Sequence, residues 1–346
     1  MSKVIITTGV TGQDGSHMVD YLLKRTSDFK IYGGVRRLSV PNHDNLSHIK
    51  DSRFELINID LTDSHSIEQA VLNLKPDYFI NFAAQSFVGS SWDFPKQTFE
   101  TNATAVLDIL EAVRVHRPEC RVYNAGSSEE FGDVVIVPQN EDHPLRPRSP
   151  YGASKASARH LIKVYRESYG IYAVQGWLFN HEGVRRGYEF VTRKITSSVA
   201  KIKMALGNNS KVPVLEVGNM DAERDWSDSE DFMEGIWLML NQEAPKDYVL
   251  SSGEVNTVRD FLKFSFKFAD IPISFTGEGE NEKVFHESGV LLARINPKFY
   301  RPAEVNLLKG DPTLAIEELG WKPKCKFQDL VKKMVENDIE ILNNNK

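Results

Sequence analysis

Cysteine is nearly missing from this chain: Cys120 and Cys325 are the two among 346 residues. Thiols so far apart make neither a disulfide framework nor a zinc-ligand spacing, and both are expected to be inert. No apolar run approaches the ~20 residues needed to cross a bilayer, so no membrane partner is expected. The opening "MSKVIITTG" is broken by glycine too early for a signal peptide, which makes a reducing cytoplasm the expected compartment. Positive charge is not in excess either. Lys and Arg number 42 against 48 Asp and Glu, a formal net charge of −6, so no global field favours nucleic acid or an anionic surface. An anionic ligand would need a locally basic pocket. Internal repeats are absent, and the terminal "NNNK" is the only low-complexity tract.

What the chain does have is rhythm. Short β-branched runs, "KVIITTG", "KIYGGVRR", "FELINIDL", "PDYFINFAA" and "CRVYNAGS", alternate with stretches whose apolar residues recur at helical spacing, such as "SHMVDYLLKRT", "SIEQAVLNLK" and "NATAVLDILEAVRVH". That alternation predicts a doubly wound, Rossmann-type α/β fold with a parallel sheet covered on both faces. A long helix is expected from Tyr151 to Tyr169. Beyond Asn180 the rhythm loosens: "GYEFVTRKITSSVAKIKMALG" and "SDSEDFMEGIWLMLNQ" read as helices, "PVLEVGN" as a short strand, and "FTGEGENEKVFHESG" as a loop. The expected division is a nucleotide domain of residues 1–180 plus about 214–250, and a smaller α/β lobe of about 181–213 plus 251–346.

The first chemical signal is "TTGVTGQDGSH", with Gly9, Gly12 and Gly15 between the first strand and first helix. Glycines allow a tight turn and close approach to a pyrophosphate, which then lies on the helix N-terminus. The spacing is GxxGxxG, and Thr11, Gln13 and Asp14 lie in the same turn. The second strand ends in Arg36 and Arg37, where an acid would suit the ribose of NAD; arginine there suits the 2'-phosphate of NADP. Asp60, beside Leu61 at the end of the third strand, would reach an adenine or cap the next helix. Tyr151 and Lys155 form YxxxK at a helix head, one turn apart on one face. The lysine ammonium is expected to lower the phenol toward working pH, making a proton acceptor for an alcohol being oxidised.

Together "TGVTGQDGS", "NFAAQS", the serine pair before "EEFG" and "YGASK" resemble the extended short-chain dehydrogenase/reductase family. The longer segments "NHEGVRRGYEFVTRKI", "GNMDAERDW", "YRPAEVNLLKGDP" and "LGWKPK" are similar to its GDP-mannose 4,6-dehydratase branch, along nearly the whole chain. The resemblance implies tightly held NADP, a GDP-sugar substrate and a homo-oligomer, a tetramer first, in which the loop after "RR" reaches a neighbouring subunit's cofactor. It implies that Ser127 and Glu129, in "GSSEEFG", join Tyr151 and Lys155 as catalytic residues. Ser127 stands where such dehydratases carry Thr. Glu130, where an apolar residue is common, is expected to point away from the sugar. By the same resemblance Ala83, Ala84, Gln85, His181 and Arg186 would touch NADP. Ser86, Asn180, Val191, Lys194, Gly218, Arg224, Arg301 and Glu304 would touch the GDP-sugar. Gly183 and Val184 replace the usual Ser-Pro. A sugar-nucleotide epimerase or keto-sugar reductase on the same fold, a GDP-manno-heptose as substrate, and a catalytically silent cofactor sensor are the alternatives. Helix capping is the competing account of "SSEE".

Overall fold

The computed structural model describes residues 2–25, 28–300, 305 and 307–344. Six strands form in the first half: β1 (Lys3–Thr8), β2 (Phe29–Val35), β3 (Phe54–Asn58), β4 (Tyr78–Asn81), β5 (Arg121–Ala125) and β6 (Ala173–Leu178). Between them run α1 (Gln13–Arg25), α2 (Ser64–Leu74), the short α3 (Ser90–Asp93) and α4 (Pro95–Phe99), α5 (Ala105–His116) and α6 (Pro150–Tyr169). A wide turn at Glu100–Thr104 joins α4 to α5 with π-helical spacing, so the helix expected from Asn102 onward is regular only from Ala105. The second half adds β7 (Asn180–Glu182), α7 (Val191–Gly207), β8 (Leu215–Val217), β9 (Glu223–Arg224), β10 (Trp226–Asp228), α8 (Ser229–Leu240), β11 (Val249–Leu250), β12 (Asn256–Thr257) and α9 (Val258–Phe268). It closes with β13 (Ile273–Thr276), β14 (Lys283–His286), β15 (Leu291–Ile295), β16 (Leu307–Leu308), α10 (Thr313–Leu319) and α11 (Phe327–Asn344).

The central sheet has the order β11-β6-β5-β4-β1-β2-β3, seven strands among the described residues, and its neighbours pair in parallel. Its strands read as continuous apolar runs because both faces are buried. Successive residues serve opposite faces. Ile5, Ile80, Tyr123 and Val174 pack with Met18 and Leu22 of α1 and Phe232 and Ile236 of α8. Their neighbours Ile6, Phe79, Val122 and Ala173 pack with α2, α5 and α6 through Val71, Ile109 and Ile162.

A second core lies in the smaller lobe, where Ile195, Val199 and Ile202 of α7 meet Phe261 and Phe266 of α9, Val284, Leu292, and Leu330 and Met334 of α11. Leu215, Val217, Met220 and Trp226 also belong to it, whereas Phe232–Leu240, Leu250 and Trp321 pack under the central sheet. The segment 214–250 is thus shared between the two cores. The Gly- and Glu-rich segment expected to be a loop contains β14, which pairs antiparallel with β13 and β15. Its only apolar residues are Val284 and Phe285, one on each face of the strand, too few for a periodic signal among the charges.

Candidate active site

The glycine turn connects β1 to α1. Gly9 has φ +68, and a Cβ there would lie 2.7 Å from the backbone nitrogen of Ala83. A Cβ on Gly15 would stand 2.4 Å from the Gly9 carbonyl oxygen, and one on Gly12 3.2 Å from it. The turn is pressed against the loop after β4 and against its own helix, leaving the α1 N-terminus open at the ends of the sheet strands. This cradle fits a dinucleotide pyrophosphate. Arg36 and Arg37 follow β2 as exposed residues. Asp60 does not cap α2: its Oδ1 accepts from the amide and hydroxyl of Thr62, and Asp63 is the cap, accepting from His65. Three residues of turn separate Asp60 from the helix start, so capping falls to the nearer acid. Leu61 is buried beside it. Ala83, Ala84 and Gln85 leave β4 toward the same end; Asn102 clasps Gln85, accepting from its amide at 2.9 Å and donating to its carbonyl at 3.0 Å. Ser86 is exposed.

The turn after β5 carries the paired serines and carboxylates. Ser127 caps a single 3-10 turn, its hydroxyl accepting from the amide of Glu129 at 3.2 Å, while Glu130 returns to accept from the Ser127 amide at 2.8 Å. The capping account of this stretch is therefore real geometry, and it leaves the two acids in different places. Glu129 is half-buried at the strand ends. Glu130 is fully buried beneath the turn, 2.5 Å from Arg159 Nε. Tyr151 sits in the first turn of α6, which Ser149 caps through the amide of Gly152 at 3.0 Å. The Ser127 side chain stands close enough to the Tyr151 hydroxyl to favour its ionised form. Sequence positions 127 and 151 thus meet at one point.

One electrostatic expectation is corrected. Burial pushes the Tyr151 phenol well above its ordinary value, and the nearby Ser127 side chain only partly offsets this. Lys155 does not counter it: its Nζ lies 5.9 Å from the Tyr151 ring centroid and donates to the Ala125 carbonyl at 2.7 Å. Burial pulls Lys155 itself down to about 8. Desolvation acts on both groups and exceeds their mutual effect.

The segment "NHEGVRRG" folds back on α1. His181 Nε2 is 3.0 Å from Asp14 Oδ2, and Gln13 donates to the His181 carbonyl at 3.0 Å. Burial opposes both charges, yet their attraction outweighs it, raising His181 and lowering Asp14. Arg185 donates to Ser16 Oγ at 3.0 Å and Asp20 Oδ2 at 2.6 Å of its own chain. Arg186 turns to Glu182, 3.0 Å away, and lies 3.6 Å over the Phe190 ring. Gly183 is closely packed: a Cβ there would be 2.8 Å from Ser229 Oγ, which would have to rotate away.

In the lobe, Asn180 stands on β7 opposite Trp226, and Val191 opens α7. Lys194, one turn on, places its Nζ 3.3 Å over the Phe299 ring. Gly218 meets the same residue, where a Cβ would be 2.7 Å from the Phe299 carbonyl oxygen. Arg224 is buried and donates to the Glu223 carbonyl at 2.8 Å. Arg301 and Glu304 lie outside the described residues. Sequence reasoning passed over Arg159, Gln175 and the buried Asn81 and Asn124; a polar residue inside a strand that is otherwise apolar was the available signal. Cys120 and Cys325 are free thiols, and burial raises both, Cys325 to about 12. Among the described residues no cluster of His, Cys, Asp and Glu could hold a metal, and no helix is long and apolar enough to cross a membrane.

Residues 6–334 match a family model described as GDP-mannose 4,6 dehydratase. A GDP-mannose 4,6 dehydratase of Drosophila melanogaster is 43% identical over 99% of this chain and 88% of its own length. The enzyme so named in Homo sapiens is 39% identical, covering 99% and 93%, and that of Vibrio cholerae 39%, covering 98% and 94%. Among solved structures, a Thermotoga maritima UDP-glucose 4-epimerase with UDP-glucose superposes with a TM-score of 0.81 at 21% identity, covering 98% of this chain and 99% of that one. A Streptomyces venezuelae dTDP-glucose 4,6-dehydratase solved with NAD gives 0.81 at 22%, covering 97% of each chain. These two show the shared fold.

Proposed function

The chain belongs to the GDP-mannose 4,6-dehydratase family, and from that premise we propose that Ser127, Glu129, Tyr151 and Lys155 carry out its reaction. The reaction is conversion of GDP-mannose to GDP-4-keto-6-deoxymannose, and the cofactor is NADP. The observation that carries the residue assignment is the approach of the Ser127 side chain to the Tyr151 hydroxyl, with Glu129 on the same turn.

The chemistry follows from what each group can do. NADP+, which the glycine cradle of Gly9, Gly12 and Gly15 would hold, would supply the acceptor for the C4 hydride and its source for C6. As phenolate, a form that the positive charge of a bound nicotinamide would favour against burial, Tyr151 removes the O4 proton through the Ser127 hydroxyl. The ketone so formed at C4 acidifies the C5 proton, and Glu129 is the only one of the turn's two acids not sequestered by Arg159, so it takes that proton and helps the C6 hydroxyl leave as water. Lys155, held by Ala125, orients the site near Tyr151. Return of the hydride to C6 is matched by return of a proton to C5, so atoms balance as loss of one water, with no net redox. Holding all groups against adjacent sugar carbons supplies much of the rate.

The glycine cradle, Thr11, Gln13, Asp14 and the loop Ala83–Gln85 would hold the dinucleotide, and Arg36 and Arg37 its 2'-phosphate. Lys194, Gly218 and Arg224 would face the GDP. A homo-oligomer belongs to this reading, supported by the exposed rings of Trp92, Phe94 and Phe99 beside α6. A reducing compartment is supported by the two free thiols.

Incubation with GDP-mannose and no added NADPH should give a keto sugar that absorbs in alkali. Glu129→Gln keeps the side chain's shape and loses the base. It should still bind GDP-mannose and accumulate bound NADPH, yet form at least ~100-fold less product and take up little deuterium at C5. Wild-type product formation by Glu129→Gln would reject the assignment.

A further inference from the structure

Four polar side chains stand in line across strands that are otherwise apolar. Thr8, Asn81, Asn124 and Gln175 are direct cross-strand partners on β1, β4, β5 and β6. Each is at most 2% exposed. Thr8 Oγ1 donates to Asn81 Oδ1 at 2.5 Å, Asn81 Nδ2 to Asn124 Oδ1 at 2.7 Å, and Asn124 Nδ2 to Gln175 Oε1 at 2.7 Å. Gln175 Nε2 then donates to Glu130 Oε1 at 3.0 Å. At the far end Thr8 Oγ1 accepts from the amide of Ala83 at 3.3 Å.

Every bond in this ladder runs the same way, and its end at Gln175 is the reason: Gln175 Nε2 donates to Glu130 and also to the Lys155 carbonyl at 3.0 Å, two groups that can only accept. A primary amide can present either its oxygen or its nitrogen, so a row of amides has two directions of similar energy. A carboxylate paired with a guanidinium only accepts. Gln175 must therefore turn its nitrogen to Glu130 and its oxygen to Asn124, and the same choice passes strand by strand to Thr8. Glu130 is itself pinned. It accepts from the Ser127 amide at 2.8 Å and from Arg159 Nε at 2.5 Å. Arg159 also donates to the Gln175 carbonyl at 2.7 Å and lies 3.4 Å over the Trp177 ring. Gly126 makes room: a Cβ there would be 2.7 Å from Glu130 Oε1 and 2.9 Å from Arg159 Nη2. A buried ion pair is a poor source of stability compared with apolar side chains of like volume, whereas it is well suited to selecting one hydrogen-bond direction.

We infer that Glu130 is a positioning residue whose carboxylate orients this one-way ladder, tying the loop that carries Ala83 to the turn that carries Ser127 and Glu129. The two halves of the site, cofactor loop and catalytic turn, are held in one register. This rests on the reading of Ser127 and Glu129 as catalytic.

Thr8 and Gln175, the residue that bonds Glu130, are three inter-strand spacings apart, about 14 Å at ~4.8 Å each, and Thr8 and Glu130 share no partner. Changes at such sites ordinarily add. Thr8→Val removes the hydroxyl at one end and Glu130→Gln the acceptor-only group at the other. Each is expected to lower kcat for GDP-mannose about 10-fold with KM little changed, and the double variant to fall little further, since either change alone unties the ladder. A multiplicative loss of about 100-fold, or wild-type kcat in both single variants, overturns the proposal. Should Glu130→Gln not fold because Arg159 is left unpaired, the cycle is made with Gln175→Met. That change cuts the ladder and spares the Glu130–Arg159 pair and the Ser127 bond, and it is expected to be equally non-additive with Thr8→Val; additivity there overturns the proposal. Glu129→Gln separates the two readings. If it is inactive while the cycle is additive, the ladder alone is rejected; if it is active, the catalytic turn is rejected first.

Discussion

Lys155 shows how one residue can be chosen against stability. Its ammonium is buried and pulled down to about 8 from an ordinary 10.5. A lysine depressed in the folded state costs stability wherever both states are protonated, so the full cost applies below pH 8 and is relieved as pH rises toward 10.5. At ~1.4 kcal/mol per pKa unit the cost is about 3 kcal/mol, of which the bond to Ala125 returns about 1. Lys155→Met should therefore be more stable by on the order of 2 kcal/mol at pH 7 while losing most activity. Thermal unfolding from pH 7 to 10 checks this: the variant's advantage should shrink above pH 8, and a lower Tm at pH 7 would contradict it. The neighbouring acids, Glu129 and Glu130, carry the opposite lesson. Identical side chains one residue apart are assigned different work because the turn points one to the strand ends and the other beneath them.

At the scale of elements, the first turn of α6 carries the chemistry. Pro150 occupies its first position, where a missing N–H costs nothing, and Ser149 satisfies the amide of Gly152. Tyr151 rides on that turn, so the cap orients a catalytic group as well as a helix. Ser149→Ala is expected to lower stability by about 1 kcal/mol and to lower kcat more than that loss would suggest, with KM near wild type. Denaturant unfolding beside steady-state kinetics would separate the two effects; unchanged kcat would leave the cap with a purely structural role. The wide turn at Glu100–Thr104 serves a similar end, since Asn102 within it holds Gln85 on one side and Ser154 of α6, at 3.1 Å, on the other.

For the molecule as a whole, the join between α1 and the segment after β6 depends on Asp14 and His181. His181 is raised from its ordinary 6.5, so its contribution is complete below that value and is lost as pH rises through the raised one. Asp14 is lowered from 3.8, so its contribution is complete above that and is lost only in strong acid. The join is expected to be tightest between about pH 4 and 6.5. Without added ligand, the Tm difference between wild type and His181→Gln should be largest near pH 6 and narrow toward pH 9. A difference independent of pH would mean that the contact is held by packing alone.

Fold class and the nucleotide turn were legible in the chain because both are local. Strand and helix periods repeat within a dozen residues, Gly9, Gly12 and Gly15 lie within one turn, and YxxxK is one helical turn. The family-level motifs around "GSSEEFG" brought Ser127 and Glu129 into view by resemblance, not by any period of their own. What the sequence could not contain was burial. The phenol of Tyr151 rises and the ammonium of Lys155 falls because distant strands and α6 close over them, reversing the expectation drawn from their spacing. The resemblance set Glu130 apart from Glu129, but what encloses it, Arg159 of α6 and Gln175 of β6, was brought there only by the fold. Asn81, Asn124 and Gln175 became one ladder only when parallel pairing set them in register, because cross-strand neighbours are chosen by topology, and topology is decided by the packing of the whole sheet.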